Sequence, residues 1–454
     1  MRVAVFTNKF PSRISTFFAR DMRALINAGV DVEIFPFYPP DSRLWRYVPS
    51  ILDEGVLPKS KVHHVSLSKT LNPSVWINVG PFVTEMARIG VSAIRFGPKR
   101  LAKSTYACLK ALAWSCRNTK TRYDHILAYW GNYAASSAFV FHRLVDNSIP
   151  FSMFLHAGLD LYEGQVFMRQ KLLYADNIIV VCEYNRQYLE RHFADVYSQV
   201  APKIYKYHLG LDLKEFKYNT SRRPVDRVLA AGSLEKYKGY DYLLRAAAIL
   251  RNRGVDFQLD VVGDGKEANP LKGLAAELNL GARVRFPGWL APDDVRKAMS
   301  GATIFVHPSN GDGDAVPTVV KEAMALGTPV IASSIAGIPE LLDDGRCGVL
   351  VRPRDSGDLA NAIQKLLQDE KLRFEYAQSG RRHAERLFDL WRNGQQLADI
   401  LKWSKRQQGR VRSSSATEQV PGSSFPATQL ATPEPTCSNS IDATVSAVED
   451  ESKV

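Results

Sequence analysis

From residue 303 to residue 352 the chain alternates short apolar runs with segments of helical spacing, and turn residues mark each change. The runs at 303–306, 329–332 and 348–351 are strand-length, and such alternation restricts the stretch to βαβ units on a parallel sheet. The same rhythm predicts strands over 3–7, 32–35, 124–128, 150–155 and 174–181 in the first half, and over 228–231, 259–262 and 284–286 in the second. Helices are expected over 17–27, 75–96, 101–116, 132–144, 183–193, 357–368, 371–386 and 391–403. At 454 residues the chain exceeds one ordinary core and suits two domains.

The joint after Val306 carries chemistry. A loop over 309–316 bears Asp312 and Asp314, Pro317 opens a helix, Glu322 lies inside it and Gly327 closes it. The start of that helix, around Val316, Pro317 and Thr318, presents free N–H groups from the residues other than proline, and a positive dipole end, to a diphosphate. A loop carboxylate and a helical carboxylate flank that end, placed for hydroxyls. This is a plausible arrangement for a nucleotide sugar, although two acids eight apart are most often a loop and a solvated helix face.

At these residues the chain resembles the family 4 retaining glycosyltransferases (glycosyl transferases group 1) of GT-B fold, most closely the exopolysaccharide and colanic-acid type. The family's signature of two Glu separated by seven residues reads here D-A-V-P-T-V-V-K-E, from Asp314 to Glu322. The following E-A-M-A-L-G-T-P-V-I-A-S and A-G-I-P-E-L also fit. The first acid is Asp, one methylene shorter than the family's Glu. The resemblance implies that Glu322 holds the donor ribose, Asp314 the donor sugar, and His156, at the end of the strand over 150–155, lies beside the sugar and reacting centre. Gly158 and Asp160 fit the local pattern of the same subgroup. Relatives carry Arg, four residues, then Lys on the donor diphosphate; Lys238 and Gly239 are present, but Ser233 stands at the Arg position and supplies one neutral donor instead of a two-pronged cation. Lys236 is a candidate replacement. Gly263, in G-D-G, marks a strand-to-turn step near the nucleotide, and the loop over 8–15 is expected to face the acceptor. No G-x-G-x-x-G follows the first strand, which counts against a dinucleotide fingerprint.

The net charge of +12 is concentrated between residues 87 and 123, where nine Lys or Arg occur without an acid. A basic amphipathic stretch of this kind fits an anionic membrane surface as well as it fits an ordinary solvated helix face; nucleic acid is not expected, because no binding module accompanies the charge. Five cysteines show no metal-ligand spacing and no full disulfide framework. With no signal-peptide pattern and no membrane-length apolar run, a cytoplasmic location is expected, with peripheral attachment to the inner face of the plasma membrane open.

The expectation is thus an α/β chain of GT-B type, two facing Rossmann-like domains with a cleft between them. The divisions are 1–212 on the acceptor side, 213–386 on the nucleotide-sugar side, a crossover helix over 387–406 returning to the first domain, and a disordered Ser/Thr/Pro-rich tail over 407–454. The resemblance implies a metal-independent retaining transferase with no cofactor. A UDP- or GDP-linked sugar would be its co-substrate, and a carbohydrate or lipid-linked hydroxyl its acceptor in cell-surface polysaccharide or glycolipid synthesis. The alternatives are a sugar-nucleotide epimerase on the same fold and a catalytically weak binding subunit of a polysaccharide assembly complex.

Overall fold

A computed structural model describes residues 1–11, 16–39, 57–66, 79–117, 121–219, 223–311 and 313–414. The first half runs β1 (Arg2–Thr7), α1 (Thr16–Asn27), β2 (Asp31–Pro36), α2 (Val79–Ile94), α3 (Pro98–Arg117), β3 (His125–Ala128) and α4 (Tyr133–Val145). It continues through β4 (Phe151–Leu155), α5 (Met168–Tyr174), β5 (Asn177–Val180), α6 (Glu183–His192), α7 (Ala194–Val200) and β6 (Ile204–Lys206). The second half opens with β7 (Arg227–Ala231), α8 (Tyr240–Asn252), β8 (Gln258–Val262), α9 (Ala268–Glu277), β9 (Val284–Gly288) and α10 (Pro292–Gly301). It then follows β10 (Ile304–His307), α11 (Thr318–Ala325), β11 (Val330–Ser333), α12 (Ile338–Leu341), β12 (Val349–Val351), α13 (Ser356–Gln368), α14 (Glu370–Leu387) and α15 (Leu390–Ser414).

These strands form two parallel six-stranded sheets, ordered β2-β1-β3-β4-β5-β6 and β12-β11-β10-β7-β8-β9. Each is buried on both faces, as period-2 alternation requires. In β1, Ala4 and Phe6 enter one apolar cluster while Val3 and Val5 enter the opposite one. In β7, Val228 and Ala230 face one side while Leu229 and Ala231 face the other. The strand order reverses beside β1 in the first sheet and beside β7 in the second, and open parallel sheets form their ligand crevice at the carboxyl ends flanking such a reversal. That rule selects the loops after β1, β3, β7 and β10.

The chain crosses between the sheets twice, side by side. Leu211 N–H donates to Phe388 O (2.7 Å) and Leu390 N–H donates to Leu211 O (3.0 Å). Gly210 is required there, since a Cβ would sit 2.5 Å from Leu390 Cα. After the return, Leu397, Ala398, Ile400 and Leu401 of α15 pack on the β1 face of the first sheet. Contacts divide the chain at Arg410: Met1–Arg410 holds both sheets, and of Val411–Val454 the described part is the helical end 411–414.

Several boundaries differ from expectation. The helix expected to end at 406 continues to Ser414, and the rest of the expected tail lies outside the described residues, as do 12–15 of the acceptor-side loop and 75–78 of the helix expected over 75–96. Tyr174 ends α5 rather than beginning a strand, because Asp176 accepts the Phe151 N–H and turns the chain into β5. Pro317 is the residue before α11 (ψ 124°), so the helix itself begins at Thr318.

Candidate active site

The loops after β7 and β10 are laced together. Asn310 N–H donates to Tyr237 O (2.9 Å), and Ser309 Oγ lies 3.0 Å from the same oxygen. Gly239 has φ 67°, and a Cβ there would lie 2.0 Å from Pro308 O. This close approach aims Lys238 at Asp314, and its Nζ lies 2.6 Å from each carboxylate oxygen. Asp314 also lies 2.9 Å from Ser309 Oγ, whose single proton can go to it or to Tyr237 O, and contacts His307 Nε2 at 3.1 Å. Burial alone would raise the Asp314 carboxyl, but the Lys238 ammonium and the His307 contact hold it well below the usual carboxylate range. The two expected site groups therefore neutralise each other. Ser233 and Gly263 lie just past the ends of β7 and β8; a Cβ on Gly263 would fall 1.8 Å from Gly232 O, so only glycine lets these turns meet. Lys236, the candidate replacement for the missing Arg, is exposed.

Across the cleft, His156 follows β4. Its ring stacks on Phe154 (4.8 Å, 11°) and is surrounded by Trp130, Tyr129 and Phe17 at 4.6, 5.0 and 5.4 Å. Asp160 accepts the backbone N–H groups of His156, Ala157 and Gly131 and lies 3.3 Å from His156 Nδ1. A carboxylate there can only accept, so Nδ1 carries the proton and Nε2 keeps its lone pair. Nε2 is buried with no hydrogen-bond partner among the described residues. A one-turn π-helix over Gly158–Tyr162 bends the chain to place Asp160, a feature that helical and strand periods do not signal. Lys171, fully buried on α5, donates to Gly131 O (2.6 Å) and Asn132 O (3.3 Å) and so fixes the loop after β3; burial pushes its pKa down to about 7.

The two halves touch at this site. A Cβ on Gly158 would lie 3.1 Å from Gly313 Cα, so the loops bearing His156 and Asp314 face each other through glycines. On α11, Lys321 is fully buried and donates to Leu209 O (2.8 Å), while Glu322 Oε1 meets Arg20 Nη2 of α1 at 2.9 Å. Sequence reasoning missed Asp21, Arg20 and Lys321, which lie where the halves join. The buried Asp21 accepts from Tyr129 (2.5 Å) and Tyr207 (2.9 Å), yet burial outweighs them and raises its pKa to about 6.

Among the described residues one cluster has metal-ligand types: Asp343, Cys347 and His383 offer atoms within 4.8 Å of one another. Asp343 is engaged by both arms of Arg346, His383 Nδ1 by Arg386 and the Cys347 thiol by Ser379 O, while His383 Nε2 is buried with no hydrogen-bond partner among the described residues. No helix among the described residues is long and apolar enough to cross a membrane.

Comparison with known proteins agrees with this layout. Residues 214–383 match the family model of glycosyl transferases group 1. The chain is 26% identical to the amylovoran biosynthesis glycosyltransferase AmsK of Erwinia amylovora, covering 88% of this chain and 99% of that one. It is 30% identical to the putative colanic acid biosynthesis glycosyltransferase WcaL of Salmonella typhimurium, but over only 35% of this chain and 40% of that one. In fold it is similar to HepE of Anabaena, solved with UDP-glucose (TM-score 0.66, 18% identity, 89% of this chain and 100% of that one).

Proposed function

Because residues 214–383 match the model of glycosyl transferases group 1 and the chain has a two-domain GT-B architecture, we propose that it moves a sugar from a nucleoside diphosphate sugar to an acceptor hydroxyl with retention at the anomeric carbon. The observation carrying this reading is that Lys238, Asp314, Glu322 and His156 converge on the crevice that the two strand-order reversals select. The donor diphosphate would sit at the start of α11, over Val316, Pro317 and Thr318, beside Ser233 and Gly263. There Lys238 would offset the charge growing on the leaving group. Glu322 would hold the ribose, Asp314 the sugar, and His156 Nε2 a sugar hydroxyl. The acceptor oxygen would attack from the face the diphosphate leaves, its proton passing to the departing oxygen, with no metal or cofactor taking part.

The similar glycosyltransferases of amylovoran and colanic acid biosynthesis support an acceptor in polysaccharide or glycolipid assembly, and the UDP-glucose complex of HepE supports a UDP-linked donor. The outer face of α2 supports work at the inner membrane surface. It exposes Val83, Val91 and Ile94 beside Arg88, Arg95 and Lys99. A catalytically weak binding subunit is the second reading, favoured by the mutual neutralisation of Lys238 and Asp314.

Calorimetric titration with UDP, GDP, ADP and their sugar conjugates tests the proposal. Selective binding of one donor, lost in Glu322→Ala, together with glycoside formation, is expected. Well-folded protein that binds none would sink it, binding without turnover would favour the subunit reading, and donor consumption without a glycoside would indicate an epimerase.

A further inference from the structure

Phe17 and Arg20 stand one turn apart on α1 and therefore share a face. Phe17 packs on His156, and Arg20 pairs with Glu322 of the other sheet's α11. One helix thus touches both the proposed sugar-side histidine and the proposed ribose-side carboxylate. Arg20 is otherwise set among groups of the second half: its Cζ lies 5.3 Å from the Phe216 ring, with Arg296 5.4 Å from the same ring. The side chains of the pair are 14% and 13% exposed, so solvent screens the contact weakly. Arg20 Nη1 is buried with no hydrogen-bond partner among the described residues. A cation serving only to join two domains would not leave a buried donor unpaired at this place, because an unmade bond is costly.

We infer that Arg20 is a positioning residue of the donor site. It holds the Glu322 carboxylate in the orientation that receives the ribose hydroxyls, and through α1 it links ribose occupancy to the placement of His156. The inference rests on the reading of Glu322 as the ribose ligand.

The experiment compares the full chain with Arg20→Met, Arg20→Lys, Glu322→Gln and the Arg20→Met/Glu322→Gln double variant. It uses whichever of UDP, GDP and ADP binds tightest, with its 2′- and 3′-deoxy counterparts. Loss of a ribose hydroxyl should weaken binding to the parent chain about tenfold, as for a hydrogen bond to a charged group. Arg20→Met should lose most of that preference, Arg20→Lys should keep part of it, and the double variant should be no worse than Glu322→Gln alone. An unchanged preference in Arg20→Met, or losses that multiply in the double variant, overturns the inference. If Arg20→Met does not fold, wild-type preference in Arg20→Lys overturns it equally. When Glu322→Gln removes the preference and Arg20→Met does not, the role of Arg20 alone has failed. When the parent chain has no preference for ribose, the reading of Glu322 has failed, and this inference with it.

Discussion

Lys238 Nζ lies 2.6 Å from both carboxylate oxygens of Asp314, a residue 76 positions further along the chain. Both side chains are about nine-tenths buried, so neither charge can turn to bulk water if its partner is removed. Asp314→Asn and Lys238→Met should each lower unfolding free energy by about 3 kcal/mol, and the double variant should lose less than the two together. Asp314→Asn also leaves Lys238 without its internal counter-ion. An added nucleoside diphosphate should therefore raise its melting temperature more than that of the parent chain, and should have little effect on Lys238→Met. Equal responses in all three would show that Lys238 does not meet the diphosphate.

The Asp160 carboxylate fixes which nitrogen of His156 bears the proton. In Asp160→Asn the amide can donate to Nδ1, which moves the ring proton to Nε2 and removes the unpartnered lone pair there. Turnover should fall at least about tenfold while donor affinity changes by less than about twofold. Nitrogen-15 NMR of the His156 ring checks the cause, because an unchanged tautomer with lost turnover would place the fault in the surrounding loop.

The alternation of apolar runs and helices made both sheets legible, since parallel strands buried on both faces read as continuous apolar segments. The loop residues after β7 and β10 were also legible, because glycine, proline and charge gather where a strand ends in a turn. The Lys238–Asp314 and Arg20–Glu322 pairs were not. Each joins distant segments, and nothing in local spacing separates a lysine that meets a phosphate from one that meets a carboxylate. Asp160 stood in a motif, but its grip on His156 depends on a π-helical turn with no sequence period of its own.

The basic excess of the N-terminal half takes a definite form on α2. Val91 and Ile94 are 71% and 64% exposed, well beyond what a helix packed in a core would show, and Arg88 on the same helix, Arg95 just after it and Lys99 at the start of α3 are exposed as well. The protein should float with anionic liposomes at low salt and release as salt shortens the Debye length from about 30 Å at 0.01 M to about 3 Å at 1 M. Val91→Glu/Ile94→Glu should abolish flotation without altering nucleotide binding. Flotation of that variant at the parent level would assign the surface to solvent.

Lys321 is fully buried, with Leu209 O as its acceptor, and burial pushes its pKa down from the ordinary lysine value of 10.5 to about 7, with Arg20 lowering it further and Asp21 opposing. Between pH 7 and 10.5 the unfolded chain therefore binds more protons at this site than the folded one. Its contribution to stability is present above about pH 10.5 and is lost as pH falls through about 7. Asp21, raised by burial from 3.8 to about 6, acts with the opposite sign in a lower window: its contribution is present below 3.8 and is lost as pH rises through about 6. The two windows do not overlap, so variants separate them. Lys321→Met should remove up to about 1.4 kcal/mol per pH unit from the slope of unfolding free energy against pH between 7 and 10. It should leave the slope between pH 4 and 6 in place. Chemical denaturation at closely spaced pH values reads both slopes; an undiminished alkaline slope in Lys321→Met would assign that proton to another buried lysine, for which Lys171 is the first candidate.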